Sequence, residues 1–265
     1  MLGRFRVLPD YLIIGAARAG TTSLHAQIEQ HPDVLASRRQ EVHFFDSPRY
    51  LNGANYYRLY FPSRLKVRWQ TLRRGLRPRT GESSPYALFH PHAAERVREL
   101  LPNARLIVLL RDPVERAHSD WAMRRRRGAE PLTFEEAIAE EERIAAEEME
   151  RLAADQTYES ARLRQYAYLA RGVYADQLPR WFAAFPRDQL LIIESGAYRR
   201  DAPGTLRRVW AHLGVRPITL PDYPSKNIGD YEPMADATRQ RLRAWFAPHN
   251  DRLNALLGER YDWDG

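Results

Sequence analysis

One stretch near the start of the chain constrains everything after it: Tyr11-Leu-Ile-Ile-Gly-Ala-Ala-Arg-Ala-Gly-Thr-Thr-Ser-Leu24. Tyr11 to Ile14 is an unbroken apolar run, the pattern of a strand buried on both faces of a parallel sheet. Gly15 and Gly20 bracket a four-residue loop. Thr21 to Gln30 then repeats its apolar residues at helical spacing. Strand, glycine-bounded loop and helix together are the layout of a phosphate-binding loop, in which backbone N–H groups and a helix amino end face an anion. The glycine pattern alone also admits a plain helix start capped by Thr21, Thr22 or Ser23. A nucleotide-hydrolysing loop reads G-x-x-x-x-G-K-[ST], and here Thr21 stands in the lysine's place. The loop's one cation is Arg18. Ordinary ATP or GTP hydrolysis is therefore disfavoured.

Composition narrows the chemistry. The 265 residues include no cysteine, which excludes disulfides, zinc–thiolate sites and thiol catalysis. The formal charge of +7 rests on arginine, Lys66 and Lys226 being the only lysines, and it suits an anionic ligand, nucleic acid or a membrane surface. No run reaches the roughly 20 apolar residues of a membrane span. The first ten residues lack the apolar core of a signal peptide. The expectation is a cytoplasmic protein, and nothing in the sequence groups residues into a metal site.

Further along, Pro32 ends the first helix and Val34-Leu35 is expected to begin a short strand. Glu41-Val-His-Phe-Phe-Asp46 places two carboxylates and an imidazole around aromatic bulk. If extended, Glu41 and His43 share one face, with Phe44 and Asp46 on the other. A carboxylate beside an imidazole on an apolar wall is suited to general-base work, although an edge strand with a solvated Glu41 and half-buried His43 fits the segment alone. Residues 52–62 predict a surface helix, 64–79 a basic irregular stretch, 81–86 a strand and turn, and 90–101 a helix.

Leu106 to Leu110 is a second buried strand, with Arg111 at its carboxyl end, where open parallel sheets bind ligands. Pro113 suits the first turn of a helix, and Ser119 follows on that helix. Arg111 and Asp112 could simply pair. The strand-end arginine, Asp-Pro and helical serine together point instead to a second phosphate site. Two such sites at one sheet edge suit a nucleotide with phosphates on two sides of its ribose.

These pieces resemble the sulfotransferases that use 3′-phosphoadenosine 5′-phosphosulfate (PAPS), in particular the heparan sulfate sulfotransferase-like branch and its bacterial relatives. The resemblance rests on Ile14–Leu24, His31-Pro-Asp33, Glu41–Asp46, Gly81-Glu-Ser-Ser-Pro85 and Leu109–Ser119, in family order and at family spacing, and continues more weakly through Arg171-Gly-Val-Tyr174 and Leu190 to Ile193. It implies an α/β, P-loop-like three-layer fold with a central parallel sheet flanked by helices. It implies a nucleotide-binding transferase that carries out sulfation. Arg18, Ala19, Gly20, Thr21, Thr22 and Ser23 would hold the 5′-phosphosulfate, and Arg111 and Ser119 the 3′-phosphate. Lys226 and Asn227 would close over the cofactor. Glu41 matches the general base, and His43 and Asp46 match residues beside the acceptor. PAPS would be the co-substrate and PAP the product, with no metal. The acceptor would carry a hydroxyl on a glycan, lipid or small molecule.

Two positions depart from the family pattern: Arg18 replaces the usual loop lysine, and Ser83 stands where several relatives have a second lysine. The other readings are a kinase-like ATP-using enzyme, disfavoured by Thr21, and a basic nucleic-acid binder, disfavoured because the arginines are spread without interleaved surface aromatics. Residues 1–265 read as one domain, with 124–170 a helical insertion that shapes the acceptor site. The acidic stretch 136–150 is expected to be a solvated helix, 158–185 core helices, 189–193 a last buried strand, 206–213 a covering helix and 239–257 an amphipathic helix ended at Gly258.

Overall fold

A computed structural model describes residues 2–223, 232–261 and 263. Strand β1 (Tyr11–Gly15) is buried at every residue, as its apolar run predicts, and leads through the glycine-bounded loop into helix α1 (Thr21–Glu29). The chain then makes no second strand at Val34; a single parallel bridge joins Val34 to Arg79. Helix α2 (Gly53–Arg58) turns Tyr57 into the core, where Phe44 stacks on it at 4.4 Å. The stretch expected to be irregular folds in its first part as helix α3 (Arg64–Arg74). Ser63 caps its first turn and Gly75 ends it in the left-handed conformation. Local capping and arginine's good helix propensity explain the difference, since neither needs an apolar period.

Strand β2 (Gly81–Ser83), helix α4 (Ala93–Leu100) and strand β3 (Arg105–Leu110) follow. Leu106 to Leu110 are all buried; truncating one such leucine to alanine costs about 2–5 kcal/mol. Helix α5 (Pro113–Arg126) begins with Asp112 accepting from the N–H groups of Val114 and Glu115 and Pro113 at the first helical position. Helix α6 (Phe134–Ala154) opens with a Thr133–Glu136 capping box. Ile138 and Ile144 lie buried on one side, as their spacing predicts, but the acidic residues are not all on the solvated face, because Glu141 and Glu148 are buried too. Glu141 accepts from the N–H groups of Leu169 (2.7 Å) and Ala170 (2.8 Å). Burial is the larger influence and leaves its carboxyl pushed up to about 7.

The expected helical run 158–185 is broken into α7 (Ala161–Tyr166), a 3-10 turn (Ala170–Gly172) and α8 (Tyr174–Ala184). The break lets Arg171 pair with buried Asp120 at 3.1 Å. Strand β4 (Leu190–Glu194), helices α9 (Ser195–Arg200) and α10 (Ala202–Leu213), and α11 (Asp236–Leu257), closed by left-handed Gly258, complete the chain.

The described strands form one parallel sheet of order β2-β1-β3-β4, flanked by helices. The chain leaves β1 toward β2 on one side and returns to β3 on the other. The direction therefore reverses between β1 and β3, and the crevice outside the carboxyl ends of such a pair is where open α/β sheets take ligands. No helix among the described residues is long and apolar enough to cross a membrane.

Candidate active site

The loop after β1 is held from behind. The Ala19 carbonyl accepts from Ser195 Oγ (2.7 Å), the Arg18 carbonyl from Arg111 Nη1 (3.0 Å), and the Ala17 carbonyl from Arg116 Nη1 (3.5 Å). Three successive carbonyls of the loop are thus tied to neighbouring elements, and the Ala19 N–H closes back on the Ala16 carbonyl (3.1 Å), which fixes the loop's backbone. Gly20 is the N-cap of α1 at φ 105° and supplies no side-chain acceptor to the helix's first N–H groups. At that φ a side chain would be strained. Gly15 is needed for a different reason: a Cβ there would lie 2.5 Å from the Leu88 side chain. Thr21 and Ser23 are buried at the helix start, with Thr22 between them half-buried.

Arg18 joins what the sequence spacing treats as two sites. Its guanidinium lies 3.3–3.4 Å from Ser119 Oγ on α5, while its carbonyl binds Arg111 at the end of β3. Arg111 does not pair with Asp112, which is occupied as the α5 cap; its side chain approaches Glu115 at 3.9 Å. Below them Arg116 and Asp120 form a buried pair at 3.2 Å. Burial alone would raise Asp120, but Arg171, Arg116 and Arg124 together hold it below the ordinary carboxylate range. This network fixes α5 against the loop.

The Glu41 segment is not extended. His43 adopts a left-handed backbone (φ 53°), and this turn brings Asp46 to the same side as His43 rather than the opposite one. The imidazole is thereby clamped: Nδ1 lies 2.9 Å from Asp46 Oδ2 and Nε2 lies 3.3 Å from Glu41 Oε2. Side-chain exposure falls along the row, from 45% at Glu41 through 23% at His43 to 0% at Asp46. Burial works against the imidazolium, yet the hydrogen bonds to Asp46 and Glu41 outweigh it and raise His43 to about 9. Asp46 likewise stays below its usual range despite burial, because His43 donates to it and Arg164 stands nearby.

What holds this turn is a set of residues that sequence reasoning did not single out. Buried Glu82 on β2 accepts from the Val42 N–H (3.0 Å), Ser84 Oγ (2.6 Å) and Tyr57 Oη (2.7 Å). The His43 N–H donates to Ser84 Oγ (3.0 Å), and the Ser83 N–H to the Gln40 carbonyl (3.0 Å). Arg164 on α7 donates to the Asp46 carbonyl and approaches its Oδ1 at 4.0 Å. Glu82 and Ser84 lie inside a recognised motif, but their partners are some 40 residues away, so no local pattern reveals the contacts. Ser84 in turn hydrogen-bonds the Ile13 carbonyl of β1 through its own N–H (3.1 Å), which sets the clamp beside the loop after β1. Lys226 and Asn227 lie outside the described residues. A cavity of about 330 Å³ between α6, α8 and α11 contains none of these site residues.

The chain is similar to known proteins over most of its length. The sulfotransferase domain family matches residues 8–223. A sulfotransferase of Alicyclobacillus acidocaldarius of known structure is 31% identical, with a TM-score of 0.74, over 98% of this chain and 100% of that one. The membrane-associated sulfotransferase kil1 of Dictyostelium discoideum is 23% identical over 98% of this chain and 68% of its own length. The human bifunctional heparan sulfate N-deacetylase/N-sulfotransferase 3 is 29% identical over 94% of this chain. This chain spans only 30% of that human protein.

Proposed function

Because the chain belongs to the sulfotransferase family and is a transferase of sulfuryl groups, we propose that its donor is PAPS, its general base Glu41 and its acceptor a hydroxyl on a glycan or small molecule. The observation that carries the reading is the contact of Arg18 with Ser119 and Arg111. It joins the β1 loop to the end of β3 at the point where the sheet reverses, which supports reading the two as one anion cradle. Outward-tied carbonyls, an α1 start without a side-chain cap and two arginines fit a ligand with phosphates at both ends of a nucleoside. Arg18 and the amides from Gly20 to Ser23 would hold the 5′ side, with Ala19 fixing the loop through its N–H to the Ala16 carbonyl, and Arg111 and Ser119 the 3′ side.

The donor supplies a sulfuryl group on a phosphate leaving group, so the acceptor oxygen–sulfur bond forms as the bridging oxygen–sulfur bond breaks. Glu41 takes the acceptor's proton. His43, raised to about 9, already carries a proton at neutral pH and is therefore unsuited to act as the base; it holds the Glu41 carboxylate in place. Asp46 fixes the imidazolium from its other side. Arg18 and the loop amides act where negative charge collects on the leaving oxygen, the placement from which preorganised donors accelerate transfer most. The insertion 124–170 contributes Arg164 to Asp46, which supports its shaping the acceptor side. The ATP-using alternative has no such support, since Thr21 replaces the lysine that would bridge β- and γ-phosphates.

Calorimetric titration with PAP, 5′-AMP and ATP tests the reading. PAP should bind at least about tenfold more tightly than 5′-AMP, the added 3′-phosphate gaining charge-assisted hydrogen bonds. Equal or tighter binding of ATP would remove the PAPS assignment and restore the kinase-like one.

A further inference from the structure

Helix α3 lies outside the site and presents an unusual surface. Its sequence, Arg64-Leu-Lys-Val-Arg-Trp-Gln-Thr-Leu-Arg-Arg74, contains five cations and no carboxylate. At 3.6 residues per turn Leu65, Trp69 and Leu72 fall within an arc of about 60°. That arc faces outward: the three side chains are 79, 55 and 78% exposed, while Val67, on the opposite side, is buried. Arg64 and Arg68 border the stripe on one flank, Lys66 and Arg73 on the other, and all four are exposed. Among the described residues Arg64, Lys66 and Arg68 make no ion pair, and Arg73 lies over the Trp69 ring at 5.3 Å. Phe5, also exposed, immediately precedes Arg6, which is bridged to Ser63 at the α3 cap.

A solvated helix gains nothing from three large apolar side chains in one outward row. An apolar stripe bordered on both flanks by cations is the pattern of a helix lying in a bilayer interface. Charge selects the occupant. A soluble polyanion would use the arginines but not Leu65, Trp69 and Leu72, and an apolar protein partner would leave the cations uncompensated. An anionic bilayer satisfies both. We propose that α3 docks the protein on an anionic lipid surface, with Leu65, Trp69 and Leu72 in the interface and Arg64, Lys66, Arg68 and Arg73 among the headgroups.

The fold sets the orientation. Ser63 pairs with Arg6, upstream of β1, and Arg77 and Arg79, downstream of α3, pair with Asp10 at the start of β1. Both ends of α3 are thus fastened to the amino edge of the sheet. The loop after β1 and the Glu41 clamp lie instead toward the carboxyl ends of β1 and β2, so the α3 stripe is separate from them.

Vesicle flotation tests this with the intact chain. The vesicles are equal parts phosphatidylcholine and phosphatidylglycerol, or phosphatidylcholine alone, and a heparin column serves as the soluble-polyanion arm. The variants are Leu65→Ser/Trp69→Ser/Leu72→Ser, the milder Trp69→Gln alone, and Arg64→Gln/Lys66→Gln/Arg68→Gln/Arg73→Gln. The substituted side chains all point to solvent, so each variant should keep the wild-type circular dichroism. Wild type should float with the anionic vesicles and at least about tenfold less with neutral ones. The apolar triple and the charge variant should each lose at least about tenfold, and Trp69→Gln several-fold. Failure of wild type to float, or flotation that the apolar variants retain in full, overturns the proposal. So does heparin retention without flotation, which assigns the face to a soluble polyanion. A micromolar dimer that the triple variant abolishes, again without flotation, assigns it to a second copy of the chain.

Discussion

The two halves of the site are held in opposite ways. In the proposed anion cradle, side chains from the end of β3, α5 and α9 grip main-chain carbonyls, so what is held in place is backbone. In the Glu41 clamp, main chain is gripped by Glu82 and Ser84, and the working groups are side chains of graded exposure. In the clamp a half-exposed carboxylate stands beside an imidazole fixed by a buried partner, the placement that the proposed proton transfer from an acceptor would use.

The largest effect should come from the clamp. Glu41→Gln removes the proton acceptor and keeps the shape, so turnover should fall at least about 100-fold while calorimetric PAP binding stays at the wild-type level. Undiminished turnover would move the base elsewhere and erase the division of labour between the two halves. Arg111→Ala sharpens the contrast from the other side. Loss of its charge-assisted contact should weaken PAP binding about 10- to 100-fold, with no change in the titration of His43. If the His43 titration moved as well, the halves would not be independent.

Next in size is Asp46→Asn. The clamp raises His43 from 6.5 to about 9, so its contribution to stability is whole below pH 6.5 and is lost as pH rises through 9. Wild-type melting temperature should therefore decline across that interval, and His43→Gln should flatten the decline. Replacing Asp46 by Asn leaves only Glu41 as a charged partner, and the His43 value read by NMR should drop by about 1–2 units. Turnover should fall about tenfold and recover partly at lower pH, where the imidazolium is restored. A turnover loss with no change in the His43 titration would make Asp46 a packing residue.

The same contrast explains what could be read from the sequence. The cradle depends mainly on glycines at defined conformations and on strand-to-helix junctions within Tyr11–Leu24 and Arg105–Ser119, local signals that survive in one dimension; the Ser195 contact to the Ala19 carbonyl, from 176 residues away, is not among them. The clamp depends on the left-handed turn at His43 and on Glu82, Ser84 and Arg164, which arrive from β2 and α7. Period-two reasoning sends Asp46 to the wrong face because it assumes extended backbone. Helix α3 escapes such reading because its arginines hide the i, i+4, i+7 row of Leu65, Trp69 and Leu72, whose partner is not the core. Alternation and periodicity report burial against the protein itself, and α3 buries only Val67 that way.

The smallest effect should come from Arg18→Lys, which asks how far the cradle is main chain rather than side chain. Arginine offers two nitrogens to Ser119 at 3.3–3.4 Å, whereas lysine offers one point charge on a flexible unbranched stem. The amides and the Arg111 contact to the residue-18 carbonyl are untouched by the exchange. PAP affinity should then change by no more than about threefold, and turnover by a similar factor, since the charge at the leaving oxygen is kept. Arg18→Ala supplies the reference, with a turnover loss of at least about 100-fold. If lysine cost as much as alanine, the cradle would rest on the guanidinium fork rather than on its amides, and the contrast between a main-chain half and a side-chain half would fail.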